Sequence, residues 1–318
     1  MLTNKPVEIT NIRANRPNPG IKAQHYTAIS CMKTLCNAET DGLGIGSPTL
    51  TFKPGAFHAG DYTFDIGTAG SMTLVFQACI LCSLKTQKPV SIRLVGGSDV
   101  KWSPSWDYFS HVFLPLINKM GVKTEAKLLR RGYYPKGSGE AIVTIHPCEN
   151  ITPLHLDEEQ EFQSVEGFIH VAGLPDHIGT RMKHAALKIL LKKNIETQIQ
   201  IEKVHALSTG TGITLWSQSN NTVLGSTVLG EKGVPAEQIG ENAATQLLSE
   251  IIAGATVDVY AIDQVLPYMA LAGERGASSC VVRSLSNHAR TNMWLIQQFF
   301  PAKFETILQD DTLCLITT

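Results

Sequence analysis

At 318 residues, 43% of them apolar and 17% charged, the chain has enough apolar mass for a large core and a smaller second one, as in a soluble globular protein. A formal charge of −1 excludes the broad positive field of a protein that coats nucleic acid without selectivity, so any such contact must be focal. Seven cysteines, an odd number without regular spacing, exclude a secreted disulfide scaffold, and neither a signal peptide nor a bilayer-length apolar run stands in the sequence. The expectation is a cytoplasmic protein without a membrane partner.

In chain order, the first strand signal is Pro6-Val7-Glu8-Ile9-Thr10-Asn11-Ile12-Arg13-Ala14, followed by a polar, proline-bearing loop from Asn15 to Gly20 and a helical pattern from Gln24 to Cys36. Pro89-Val90-Ser91-Ile92-Arg93-Leu94-Val95-Gly96-Gly97 repeats the design, with a loop from Ser98 to Pro104 and a helical pattern from Trp106 to Met120. The two read as copies of one strand-loop-helix unit. Between them, Leu50-Thr51-Phe52-Lys53 and Asp61-Tyr62-Thr63-Phe64-Asp65 read as the arms of a hairpin, with Pro54-Gly55 and Ala59-Gly60 as turn signals. Ile66-Gly67-Thr68-Ala69-Gly70-Ser71 then leads into an apolar helix that carries Gln77, Cys79 and Cys82. Ser71 suits an N-cap, a glycine-bearing turn before a helix also suits an anion, and the two cysteines read as core thiols because no second metal-ligand pair follows.

Arg131-Gly-Tyr-Tyr-Pro-Lys-Gly-Ser-Gly-Glu140 joins a strand ending near Arg130 to another over Ala141 to His146. Local chemistry reads it as a wide hairpin, rigid at Pro135 and permissive at Gly137 and Gly139, or as a loop that faces a nucleotide or RNA. Residues 147–163 form a polar, acidic connection. Next come a strand over Phe168 to Gly173, a helix through Thr180 to Lys193, and strands over Ile199 to Val204 and Ile213 to Ser217. A turn-rich stretch and a helix opened by Pro235 follow. Residues 175–252 read as an inserted small α/β domain, and residues 1–174 with 253–318 as a large domain of repeated strand-helix units, an α+β fold overall. The last strand signal covers Lys303 to Leu308.

Ser286-Asn287-His288-Ala289-Arg290-Thr291-Asn292 places a histidine just before a helix capped, on this reading, by Thr291. Taken together with Ile12 to Gly20, Gly60-Asp61-Tyr62, Gly67 to Ser71, Arg131 to Gly139 and Asp263-Gln264-Val265-Leu266-Pro267-Tyr268-Met269-Ala270-Leu271-Ala272, the sequence resembles the RNA 3′-terminal phosphate cyclases over nearly its whole length. Ser138 stands where that family has a glycine.

The resemblance implies an ATP-dependent ligase that converts an RNA 3′-terminal phosphate to a 2′,3′-cyclic phosphate. A nitrogen of His288 attacks the α-phosphate of ATP and expels pyrophosphate, the AMP passes to the RNA phosphate, and the adjacent 2′-hydroxyl closes on it and releases AMP. It further implies that Gln77, Tyr260, Ala261, Ile262, Asp263 and Gln264 contact ATP, with Tyr260 and Pro104 on the two faces of adenine, and that Arg13 and Arg16 pair with phosphates. Asp263 either orients the His288 ring or approaches a divalent cation, magnesium or manganese, whose ligands the resemblance leaves unassigned. Arg130 and Arg131 are expected to be available to an RNA backbone, and a homodimer is left open.

Cyclases of the family carry a strand, a Gly-Glu-Gly-Gly-Gly loop and a helix ahead of the segment matched by Met1 to Pro6. The chain therefore reads as an N-terminally shortened member, with activity in question. Alternatives are a non-catalytic cyclase-like protein of ribosome assembly, an inactive truncated relative, and an enolpyruvyl transferase built from similar repeated units.

Overall fold

The structure, a computed structural model, describes residues 2–158, 160–309 and 313–317; Met1, where the matched segment begins, lies outside them. The chain divides into two compact units, the first made of residues 1–103, 122–149 and 206–208, the second of 104–121, 150–205 and 209–318. Helices and strands are mixed over four sheets among the described residues, an α+β fold.

In the first unit, β1 (Val7–Ile9), β2 (Glu39–Asp41) and β3 (Leu50–Lys53) form an antiparallel sheet in the order β1-β3-β2. Helix α1 (Ala23–Leu35) buries Cys31 and Leu35. The larger sheet has the order β4-β5-β7-β6, from β4 (Gly60–Asp65), β5 (Val90–Gly96), β6 (Thr124–Arg130) and β7 (Gly139–Ile145). Alternation in β5 sends Val90, Ile92 and Leu94 into the core and leaves Arg93 outside, the period-2 pattern of a half-buried strand.

The expected hairpin of Leu50–Lys53 with Asp61–Asp65 does not form. β3 pairs with β1 and β2, whereas β4 runs parallel to β5, with Tyr62 opposite Ile92. A parallel partner requires a crossover, and α2 (Met72–Ser83) supplies it. Ser71 caps α2 as expected, its Oγ accepting the N–H of Leu74 at 3.3 Å. Cys79 and Cys82 are fully buried core thiols; a hydrogen bond with Cys31 and then burial push Cys79 well up, and burial pushes Cys82 up to about 12.

Strands β6 and β7 are joined by the wide loop read from Arg131 to Gly139, with a single bridge between Tyr133 and Gly137. A side chain at Gly132 would put its Cβ 2.3 Å from Gly139 N and 2.3 Å from Gly96 O, so the glycine is what lets three backbone segments meet. Ser138 takes φ +58°, a conformation that costs an L residue about 1 kcal/mol.

In the second unit, α3 (Trp106–Tyr108), a π-helical turn over Phe109–Phe113 and α4 (Leu114–Lys119) make one continuous buried helix. Strand β8 (His155–Leu156) precedes β9 (Ser164–Ala172), which runs parallel to β10 (Glu196–Val204) through the crossover α5 (His177–Leu191). β11 (Gly210–Gln218) pairs antiparallel with β9, and β12 (Val223–Leu229) with β11. The sequence reading left β12 inside a turn-rich stretch. This sheet takes β9 from ahead of residue 175, and residues 206–208 belong to the first unit.

Helix α6 (Ala236–Ile252) joins α5 over the sheet, where Val165, Ile169, Met182, Leu190, Ile213, Leu215, Ala243 and Leu247 form a continuous core. Pro235 stands one position ahead of the first helical residue, as the N-cap. After α7 (Ile262–Ala272), β13 (Ser279–Val282) and α8 (Asn287–Gln297), the chain ends on β14 (Glu305–Gln309) and β15 (Leu313–Thr317), in a sheet ordered β14-β15-β13-β8. No helix among the described residues is long and apolar enough to cross a membrane.

Candidate functional site

Six of the nine expected site residues belong to the second unit. Tyr260 and Ala261 form the turn that opens α7; Ile262, Asp263 and Gln264 are its first three residues; His288 is the second residue of α8. The cap of α8 is Ser286, whose Oγ accepts the N–H of Ala289 at 3.0 Å, and not Thr291, which lies inside the helix and donates back to Asn287 O at 2.8 Å. The correction moves His288 from a loop into a capped first turn. Its ring is exposed, and helical φ and ψ fix its Cα–Cβ direction.

The two helices are tied together where the chemistry-bearing residues sit. Asn292 Nδ2 donates to the carbonyl of Asp263 at 3.0 Å, one turn past His288. Burial pushes the Asp263 carboxyl up to about 6, the positive field of His288 acts against that rise, and the nearby Asp258 carboxyl adds to it. Asp263 and His288 are therefore electrostatic neighbours. Ile262 is fully buried and anchors the turn from below, while Gln264 Nε2 donates to Tyr260 O at 2.6 Å.

Asp258, which the sequence reading did not single out, organises this corner. Its Oδ1 accepts the N–H groups of Tyr260 at 3.0 Å and Ala261 at 2.9 Å and the hydroxyl of Tyr108 at 2.6 Å; its Oδ2 accepts Gly225 N–H at 3.0 Å. The side chain is fully buried, and desolvation raises its pKa despite these donors. Tyr108 follows Ser105, the α3 cap, whose Oγ lies 3.0 Å from Thr214 Oγ1. One carboxylate thus holds the Tyr260 turn and the helix that begins just after Pro104. The Tyr260 ring is left 56% exposed on a fixed backbone, a suitable face for a flat ligand. No local spacing marks Asp258 as buried; its signal, an aspartate two residues ahead of a helix-opening turn, is shared by many solvated caps.

The first unit holds Gln77, Arg13 and Arg16. Gln77 is half-buried midway along α2. Arg13, at φ +55°, closes its own loop: Nη1 donates to Asn18 O at 2.7 Å and Gly20 O at 3.3 Å. Arg16 is exposed. Gln24 Oε1 accepts the N–H of Ser71 at 2.8 Å, which sets the starts of α1 and α2 side by side. His25 is driven below its ordinary value by burial and then by the charges of Arg13 and Lys22, so this corner is locally positive.

Arg131 is not available to RNA. It is buried against Asp99, with Nη1 3.2 Å from Oδ2. Arg130 remains at the surface, where Nε donates to Ser138 O at 2.7 Å.

The second unit thus sets an exposed, helix-borne histidine beside a half-buried carboxylate where the starts of α7 and α8 are tied together. The sequence profile of the family described as RNA 3′-terminal phosphate cyclase matches residues 1–306. A protein of that name from Nitrosospira multiformis is 40% identical over 307 residues, covering 96% of this chain and 86% of the relative. One from Pyrococcus furiosus is 40% identical over 304 residues, 96% of this chain and 88% of its own. One from Methanosarcina barkeri is 41% identical over 304 residues, 95% and 88%. The chain belongs to the RNA 3′-terminal phosphate cyclase family.

Proposed function

We propose that the protein uses ATP to convert an RNA 3′-terminal phosphate to a 2′,3′-cyclic phosphate through a covalent adenylate on His288. The observation that carries this reading is the pairing of an exposed imidazole in the capped start of α8 with Asp263 at the start of α7. A neutral ring nitrogen attacks the α-phosphorus of ATP, forms a P–N bond and breaks the bond to pyrophosphate, with Asp263 balancing the charge that develops on the ring. The adenylyl group then moves to an oxygen of the RNA 3′-phosphate and frees the imidazole. Attack by the 2′-hydroxyl on that phosphorus expels AMP; proximity within one ribose gives this step its high effective concentration.

Tyr260 and Pro104 are proposed to face adenine, with Ala261, Ile262 and Gln264 shaping the same turn, and Gln77 is a proposed ATP contact. Arg13 and Arg16 are proposed phosphate contacts, suited by a planar guanidinium. A divalent cation, magnesium or manganese, would neutralise triphosphate charge when bound, and Asp263 is an oxygen donor of the type such cations take, its desolvation relieved by a positive ion.

The test is incubation with α-labelled ATP and magnesium. Acid-labile label on the wild type that disappears in His288→Ala supports the reading; label that persists in the variant, or none on a chain extended upstream of Met1, overturns it in favour of a non-catalytic role.

A further inference from the structure

The loop after β5 and the loop between β6 and β7 are fastened to each other within the first unit. The N–H of Ser98 donates to Gly132 O at 2.9 Å, Gly132 N–H donates to Ser98 Oγ at 2.9 Å, and the buried Arg131–Asp99 pair locks the junction. Each loop then presents one large ring to solvent. Trp102 is 96% exposed and Tyr134 is 78% exposed, while the adjacent Tyr133 is buried.

Neither exposed ring contributes to the fold, and Trp102 is also held at φ +63°, a left-handed conformation that is an outlier for a bulky side chain. An indole placed almost wholly in water on a strained backbone destabilises the free protein twice over. Strain of that kind concentrates where a ligand is engaged. The surroundings indicate which ligand. Apart from the buried Arg131–Asp99 pair, residues 93–103 and 130–140 carry the exposed Arg93, Lys101, Arg130 and Lys136 against only Glu140, on a chain whose formal charge is −1. Both carboxylates are engaged internally, Asp99 by Arg131 and Glu140 by Arg93 and Arg130. Exposed rings among excess cations match an anionic polymer with flat bases; an acidic peptide would meet the charge but leave the ring faces unused, and an apolar one would meet the rings but leave the charge unmatched.

We infer that Trp102 and Tyr134 form a stacking platform for bases of single-stranded RNA, with Lys101, Arg130 and Lys136 lying along its phosphates. The inference rests on the proposed RNA substrate and adds to it the recognition of unpaired bases upstream of the reacting end. Stacking tolerates any base, so the platform confers preference for single strands over duplex and little preference for sequence.

The test measures binding of a fluorescein-labelled, 3′-phosphorylated oligoribonucleotide to the full chain by anisotropy, which needs no ATP and no adenylated histidine. Trp102→Ala and Tyr134→Ala are each expected to weaken binding roughly 10-fold, with melting unchanged because neither ring packs against the fold. Trp102→Phe and Tyr134→Phe restore most of it. Wild-type affinity in both alanine variants, or equal losses in the phenylalanine and alanine variants, overturns the inference. Tight wild-type binding that depends on the rings, in a protein that takes no label from ATP, would sink the catalytic reading and leave this one standing.

Discussion

Glu250 offers a direct measure of how much desolvation this structure tolerates. It lies near the C-terminus of α6, 3% exposed, with Oε1 accepting from Arg283 Nε at 3.0 Å. Burial, and next the charge of Asp258, raise its pKa from 4.5 to about 7, with Arg283 pulling in the opposite direction. The shift of the folded state means that folding takes up a proton between those two values. Glu250 therefore contributes stability that is fully present below about pH 4.5 and lost as the pH rises through about 7, a change of about 3 kcal/mol. Glu250→Gln keeps the shape and stays neutral at every pH, so it should retain what the wild type loses. Urea unfolding of both proteins from pH 4.5 to 8.5, read as the difference in unfolding free energy, should show the variant gaining about 3 kcal/mol on the wild type across that range and then levelling. Taking the difference cancels groups common to both, Asp263 among them. A difference that stays constant within about 0.5 kcal/mol would refute the assignment of a protonated, buried carboxyl.

Tyr108→Phe removes the hydroxyl that Asp258 accepts at 2.6 Å and should cost about 1.5–3 kcal/mol in urea unfolding, the range for a buried hydrogen bond to a charged group. Ser138→Gly relieves φ +58° at a surface turn and should raise unfolding free energy by about 0.5–1 kcal/mol, visible as a higher melting temperature. Asp263→Asn keeps the fold but removes the charge opposite His288, so label transfer from ATP to the histidine should slow about 100-fold in a quenched time course.

Much of the fold was legible because burial imposes a period. Val90 to Gly96 alternates strictly, and β5 occupies that span. Where the sequence reading failed, the missing information was non-local. Leu50–Lys53 and Asp61–Asp65 have good strand composition and turn residues between them, but the partner of β4 is chosen by the crossover through α2, which local alternation does not encode. Strand β12 hid in Val223-Leu224-Gly225-Ser226-Thr227, where small and hydroxyl residues give a turn-like composition although four of the five are buried. At the candidate site, His288 and the run from Tyr260 to Gln264 stand out only through the company of distant motifs, and no local pattern singles them out. Arg131 was misplaced because its partner, Asp99, is 32 residues away, and Asp258 was missed because its four donors come from three separate stretches of chain.

The division of the chain also bears on how the protein can be taken apart. The polypeptide passes from one unit to the other at residues 103–104, 121–122, 149–150, 205–206 and 208–209. Strands β5 and β6, both of the first unit, flank a helix that belongs to the second, so neither unit corresponds to any contiguous gene fragment. Single-cut truncations will therefore yield broken halves rather than working modules, and a protease nick at any one crossing leaves the two bodies still joined by the others. Separating them for study calls for circular permutation or co-expressed pieces.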